Sequence, residues 1–160
     1  MDCACKHTHI ISLTMDDIVN AAIAQSSADF RAMRSTATEQ SAGADNIYED
    51  FVITPDDKPL IVEQVRGVVP SLYQSVRAYS PKYYVDDEAV MFNIVAQDCN
   101  AGQRLTELVR KCIVWNVLGW WYELRSAELS ARYYEKSAGA VSDIMSVVIP
   151  QFTERRLRYF

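Results

Sequence analysis

Histidine is nearly missing from this chain: His7 and His9 are the two it has, both close to its start. A serine or cysteine further along therefore has no imidazole to serve as general base, which excludes the usual triads and dyads. Glycine is sparse as well. The five glycines, at positions 43, 67, 102, 119 and 139, form neither a phosphate-cradling loop nor a dinucleotide fingerprint, and no G-x-S-x-G elbow occurs. Basic residues are in deficit, 16 against 21 acidic, giving a net charge of −5. A general nucleic-acid binder needs the opposite surplus to neutralise phosphates. Long apolar runs are lacking too. The most apolar stretch, residues 112–124 (CIVWNVLGWWYEL), has 13 residues, against roughly 20 needed to cross a bilayer. Arg110, Lys111, Glu123 and Arg125 crowd its ends, so it reads as a buried helix, and no membrane association is expected.

The opening MDCACKHTHIISLTMDD has neither the apolar core nor the small-residue cleavage site of a secretory signal. Cys3, Cys5, Cys99 and Cys112 are accordingly expected as reduced thiols in a cytosol. What the chain does have is an ordinary globular composition, 49% hydrophobic and 23% charged over 160 residues, enough for one domain with a real core.

Patterning divides the chain into strand-like runs, each followed by acidic residues and a helical stretch. Residues 9–14 (HIISLT) lead into Met15, Asp16 and Asp17 and an amphipathic helix to about Arg34, with Thr14 and Asp17 spaced as an N-terminal capping pair. Residues 1–14 read as an N-terminal arm or edge strand, and 35–46 (STATEQSAGADN) as a mobile loop. Residues 48–54 (YEDFVIT) again look strand-like. Thr54-Pro55-Asp56-Asp57 then provides a cap, a first-turn proline and acids for the positive helix end, and a helix is predicted over 57–79. Pro70 lies inside it, which predicts a kink or a break. Residues 80–88 read as a loop, and 89–97 (AVMFNIVAQ) as a strand with Val90, Phe92 and Ile94 on one buried face.

The strongest pattern is one long central helix over about 103–136, capped by Gly139 and followed by a short helix over 140–149. The expected class is mainly α: a helical bundle over residues 15–149 with a few short β-strands. The long helix is apolar on nearly every side and needs cover on every side. Other helices or neighbouring subunits could supply it, and Trp115, Trp120, Trp121 and Tyr122 are residue types favoured at interfaces.

Several residue groups could carry chemistry. Cys3, Cys5, His7 and His9 are metal-ligand types. On an extended strand, however, four residues at two-residue spacing span roughly 20 Å, too far for one zinc. The acidic groups Asp16–Asp17, Asp56–Asp57 and Asp86–Asp87–Glu88 could hold a divalent cation or act as acid and base, yet the first two sit at helix starts, where capping accounts for them. Cys99 is the one plausible reactive thiol, and neighbouring Asp98 disfavours its thiolate. No cofactor motif and no catalytic set emerge, so no enzyme activity is expected.

Charge is unevenly distributed: −6 over residues 1–60 (4 basic, 10 acidic), −1 over 61–150 (9 basic, 10 acidic) and +2 over 151–160 (3 basic, 1 acidic). Residues 150–160 thus form a basic-aromatic tail, Phe152, Arg155, Arg156, Arg158, Tyr159 and Phe160, on an acidic body. Such a tail can dock on an acidic, apolar groove of another subunit, hang free, or bind nucleic acid weakly.

Residues 50–79 (DFVITPDDKPLIVEQVRGVVPSLYQSVRAY), then a strand-like stretch, a long helix ending near Gly119-Trp120-Trp121-Tyr122, and residues 135–148 together resemble small virion proteins of tailed bacteriophages. Their order is similar to that of the head–tail connector, or adaptor, group. The likeness covers roughly residues 15–149 and lies in patterning, with no invariant motif. It implies a helical bundle without catalytic residues, assembled in the host bacterial cytoplasm as a ring of about a dozen copies in the virion neck. The implied partners are the portal protein and a tail or neck protein, with DNA passing through an acidic lumen that repels it. The Cys/His-rich start has no counterpart in that group. The other reading of the same residues is a cytosolic interaction module or regulatory subunit unrelated to phage.

Overall fold

The computed structural model describes residues 6–36 and 50–149. In chain order these form β1 (His7–Thr14), α1 (Met15–Thr36), one 3-10 turn (Pro55–Asp57), α2 (Lys58–Val76), β2 (Lys82–Val85), β3 (Ala89–Ala96), α3 (Ala101–Tyr122) and α4 (Ala127–Val148). The described residues are thus mainly helical, with one small antiparallel sheet ordered β1-β3-β2.

Local chemistry starts these elements where the sequence places the signals. The Asp17 amide donates to the Thr14 hydroxyl at 3.1 Å, which turns β1 directly into α1. The Asp57 carboxylate accepts from both the backbone N–H and the hydroxyl of Thr54, each at 2.8 Å, ahead of α2. Along β3, Val90, Phe92, Ile94 and Ala96 alternate into the core, as period-two patterning requires. β1 lies against β3 from His7↔Ala96 to Thr14↔Ala89, and β2 from Lys82↔Asn93 to Val85↔Val90.

Three expectations are corrected and one is narrowed. Residues 80–88 contain a strand, β2, because Lys82–Val85 pairs with β3 and Asp86 closes the turn by accepting from the Glu88 and Ala89 amides at 2.8 and 2.7 Å. Residues 50–54 are turn and coil instead of strand; the buried Ile53 amide donates to the Ser26 hydroxyl at 3.0 Å. Of the kink or break expected at Pro70, the break does not occur: helix α2 runs on through it. Val65, Val69, Leu72 and Val76 are buried on both sides of the proline, and that packing outweighs the roughly 3 kcal/mol a mid-helix proline costs.

The long helix over 103–136 is in fact two. The amides of Arg125 and Ser126 both donate to the Tyr122 carbonyl, at 3.0 and 2.8 Å, and Ser126 then adopts an extended conformation (φ −156°, ψ 104°). Its hydroxyl accepts from the Leu129 amide and caps a new helix. That helix, α4, runs through Gly139 to Val148, so the glycine is no cap and residues 140–148 are its continuation. α3 and α4 form an antiparallel hairpin: the Ser130 hydroxyl donates to the Gly119 carbonyl at 2.9 Å, and the Ser137 hydroxyl to the Cys112 carbonyl at 3.0 Å. Seven residues separate both donors and acceptors, two turns on each helix.

α3 sits at the centre, in contact with α1, α2, α4 and β1. Leu105, Val109, Ile113, Val117 and Leu118 are all buried there. The chain's own elements therefore cover most of this helix, with Trp115 and Trp120 left half-buried. The buried cluster is continuous and draws on β1, β3 and all four helices.

Candidate functional site

Three places bring polar or reactive side chains together. The first is inside the bundle. Asp29, on α1, accepts from the Tyr133 hydroxyl of α4 at 2.6 Å and from the Tyr122 hydroxyl of α3 at 3.1 Å, while Gln25 donates to its other oxygen at 3.2 Å. The two tyrosine rings stack with centroids 5.7 Å apart. Both are buried, and desolvation foremost, with Asp29 second, pushes both phenols well above their ordinary value near 10. Neutral phenols at this site are donors and neither base nor nucleophile. The cluster ties three helices together, and nothing in the local sequence around Asp29 signals it.

The second place is the closed end of the hairpin, where the two helices are joined. The Arg125 guanidinium lies 3.9 Å over the Trp121 ring and donates to the carbonyls of Asp50 and Trp121, both at 2.6 Å. Trp121 in turn donates through Nε1 to the Phe51 carbonyl at 3.0 Å. These bonds clasp residues 50–51 onto the hairpin. Leu124, at the tip, is almost wholly exposed at 96%.

The third place is the surface of the sheet. Its inner face is core; its outer face carries Tyr84 directly opposite Met91, with Ile10 (69% exposed) two residues along β1 from Met91's partner Ser12, opposite Asn93. At the sheet's end a cleft of about 400 Å³ opens between Lys6, Arg77, Tyr79, Pro81, Val95 and Val148. Its walls are apolar and its two formal charges are positive.

The residues singled out from the sequence divide accordingly. Tyr122 is fully buried and Trp121 nearly so. Of the two covers open to them, other parts of the chain or a neighbouring subunit, the chain's own α1, α4 and residues 50–51 supply it. Trp115 and Trp120 stay half-buried; Trp115 has the Lys136 ammonium 5.8 Å over its ring. His7 and His9 share the inner face of β1, where His9 Nε2 donates to the Asp98 carbonyl at 2.9 Å and its ring packs against Gly102. A methyl group on Gly102 would stand 3.1 Å from His9 Nδ1, so His9 pins β1 to the start of α3. Among the described residues no three His, Cys, Asp or Glu side chains are placed to hold a metal ion.

Cys3 and Cys5 lie outside the described residues, as do Phe152, Arg155, Arg156, Arg158, Tyr159, Phe160 and residues 37–46 of the expected loop. The acidic groups act locally: Asp16 pairs with Lys58 at 2.6 Å, and Asp87 with Arg66. The Tyr84 hydroxyl and the two turn amides hold the Asp86 carboxyl below its usual range. Cys99 is exposed. Cys112 is buried beside Ser137, and burial pushes its thiol up.

No known family, curated protein or solved structure matches this chain. Among the described residues no helix is long and apolar enough to cross a membrane.

Proposed function

We propose that this chain is a non-enzymatic structural subunit of a tailed-bacteriophage virion: a head–tail connector, or adaptor, in the neck. In this reading it assembles in the host cytoplasm as a ring of about a dozen copies and joins the portal to a tail or neck protein. The copy number and the partners come from the family resemblance of residues 15–149. The observation that carries the reading is the contrast between interior and surface. Among the described residues every buried polar side-chain atom has a partner within the chain, and Asp29 is bonded to Tyr122 and Tyr133 across three helices. The outer sheet face, by contrast, offers Ile10, Tyr84 and Met91 to solvent, as a surface made for a neighbouring protein does. The acidic excess suits a ring through which DNA passes without sticking.

The test is to mix the purified chain with a portal protein encoded in the same genome and image the mixture by electron microscopy. A ring added to one end of the portal is the expected result. Portal particles without added density, with the chain left unbound, overturn the proposal.

A further inference from the structure

The register of the sheet fixes which backbone groups of β1 lack partners. The Met15 amide donates to the Glu88 carbonyl at 2.7 Å, and the pairing then runs from Thr14↔Ala89 to His7↔Ala96 without a bulge. In an antiparallel ladder, alternate residues bond to the same neighbour. His9, Ile11 and Leu13 therefore turn their N–H and C=O groups to β3, and Thr8, Ile10 and Ser12 turn theirs to the open side. No described element bonds to those three.

Sheet edges of this kind are normally blunted by charge, proline, bulges or short length. β2, the other edge, follows that rule: it has four residues, begins with Lys82 and lies between Pro81 and the Asp86–Glu88 acids. β1 follows none of it. Its eight residues, HTHIISLT, hold no Lys, Arg, Asp, Glu or Pro, and Ile10 is mostly exposed beside the open edge.

We propose that the open edge of β1 pairs antiparallel with β1 of a second copy of this chain, around a two-fold axis at Ile10. In this register Ile10 faces Ile10 of the second copy, and Thr8 faces Ser12. The pair gains about six backbone hydrogen bonds from groups that otherwise face water, and the two sheets become one of six strands. Charge favours this orientation. Lys6 precedes β1 and Asp16 and Asp17 follow it, so antiparallel pairing sets the basic end of each copy beside the acidic end of the other. Parallel pairing would set like ends together. A two-fold contact closes at two copies and cannot generate a ring. The inference therefore stands apart from the connector reading, and joins two free subunits or two rings face to face.

Native mass measurement of the full chain tests it, with Ile10→Lys as the variant. The wild-type chain should give twice the 18.2 kDa chain mass, or an even multiple of it, and Ile10→Lys should halve the assembly with an unchanged circular-dichroism spectrum. A wild-type monomer at micromolar concentration overturns the proposal, and so does any assembly that Ile10→Lys leaves intact. If Ile10→Lys fails to fold, disulfide trapping decides, in a background with Cys3, Cys5 and Cys99 changed to Ser. Ile10→Cys should cross-link to itself. Thr8→Cys should cross-link only when mixed with Ser12→Cys. Absence of the Ile10→Cys cross-link, or self-linking of Thr8→Cys, overturns the register and the proposal.

Discussion

The Tyr133 hydroxyl donates to the Asp29 carboxylate at 2.6 Å, joining residues 104 positions apart in a chain of 160. Tyr122 shares the same oxygen, so one carboxylate serves two buried phenols. Changing Asp29→Ala leaves both without their acceptor, and each orphaned group costs about 1–3 kcal/mol. Denaturant unfolding should show a loss of that order. In the Asp29→Ala background, Tyr133→Phe should cost less than it does in the wild-type chain, and equal costs in the two backgrounds would show that the two residues are uncoupled.

The same cluster ties stability to pH on the alkaline side. Both phenols have folded-state values above their unfolded value near 10. Their contribution is fully present below pH ~10 and is lost as pH rises from there toward the folded values, because the unfolded chain releases its protons first. Tyrosinate absorbance during an alkaline titration should therefore rise in two stages, with Tyr122 and Tyr133 ionising only together with loss of the circular-dichroism signal. Ionisation of all nine tyrosines before any unfolding contradicts this.

Two helical glycines should respond to alanine with opposite signs. A Cβ on Gly119 would sit 2.9 Å from the Tyr134 ring, whereas one on Gly67 meets nothing within 4 Å. Gly67→Ala should raise stability by about 0.5–1 kcal/mol through backbone entropy. Gly119→Ala should lower it by about 1–3 kcal/mol through overpacking of the hairpin. Thermal melts of the two variants, side by side, check the signs.

Pro70 gives a third case. It removes one backbone donor from the middle of α2, so Pro70→Ala restores a hydrogen bond the helix lacks. A gain of up to about 3 kcal/mol is expected from chemical denaturation. A loss would mean that the proline ring packs better than alanine there.

Ser126→Ala removes the cap that separates the two arms of the hairpin. A cost of about 1 kcal/mol is expected, with helix content by circular dichroism nearly unchanged, because α3 and α4 remain packed along their whole length. A variant as stable as the wild type would make the Leu129 bond dispensable.

Features that depend on neighbours in sequence were legible. Thr14 with Asp17 and Thr54 with Asp57 are three residues apart, so their capping shows in the chain itself, and the alternation of Val90, Phe92 and Ile94 gives β3. The break after Tyr122 was not. Leu124 and Arg125 continue a helical pattern, and Ser126 ahead of Glu128 is the one local sign of a new start. Tyr83 and Tyr84 were masked by the acids that follow, although tyrosine favours strands. Asp29 was beyond reach, since its partners lie 93 and 104 residues away and no local pattern encodes such a contact. At the end of α3 the sequence left two covers open, the chain itself or a neighbour. Trp121 and Tyr122 have the chemistry of an interface, but tertiary packing uses it within the chain.

The pairing of β1 with β3 also sets an order of events during synthesis. Among the described elements β1 leaves the ribosome ahead of the others, yet its partner in the sheet, Ala89–Ala96, follows some 75 residues after Thr14. At roughly 5–20 residues per second, β1 waits several seconds with both of its edges bare. The α3–α4 hairpin and the β2–β3 turn close over short distances and can form as soon as they emerge, while β1 and α1 must travel back to them. Until β3 emerges, β1 stands as an uncharged strand without the partner that holds it in the sheet.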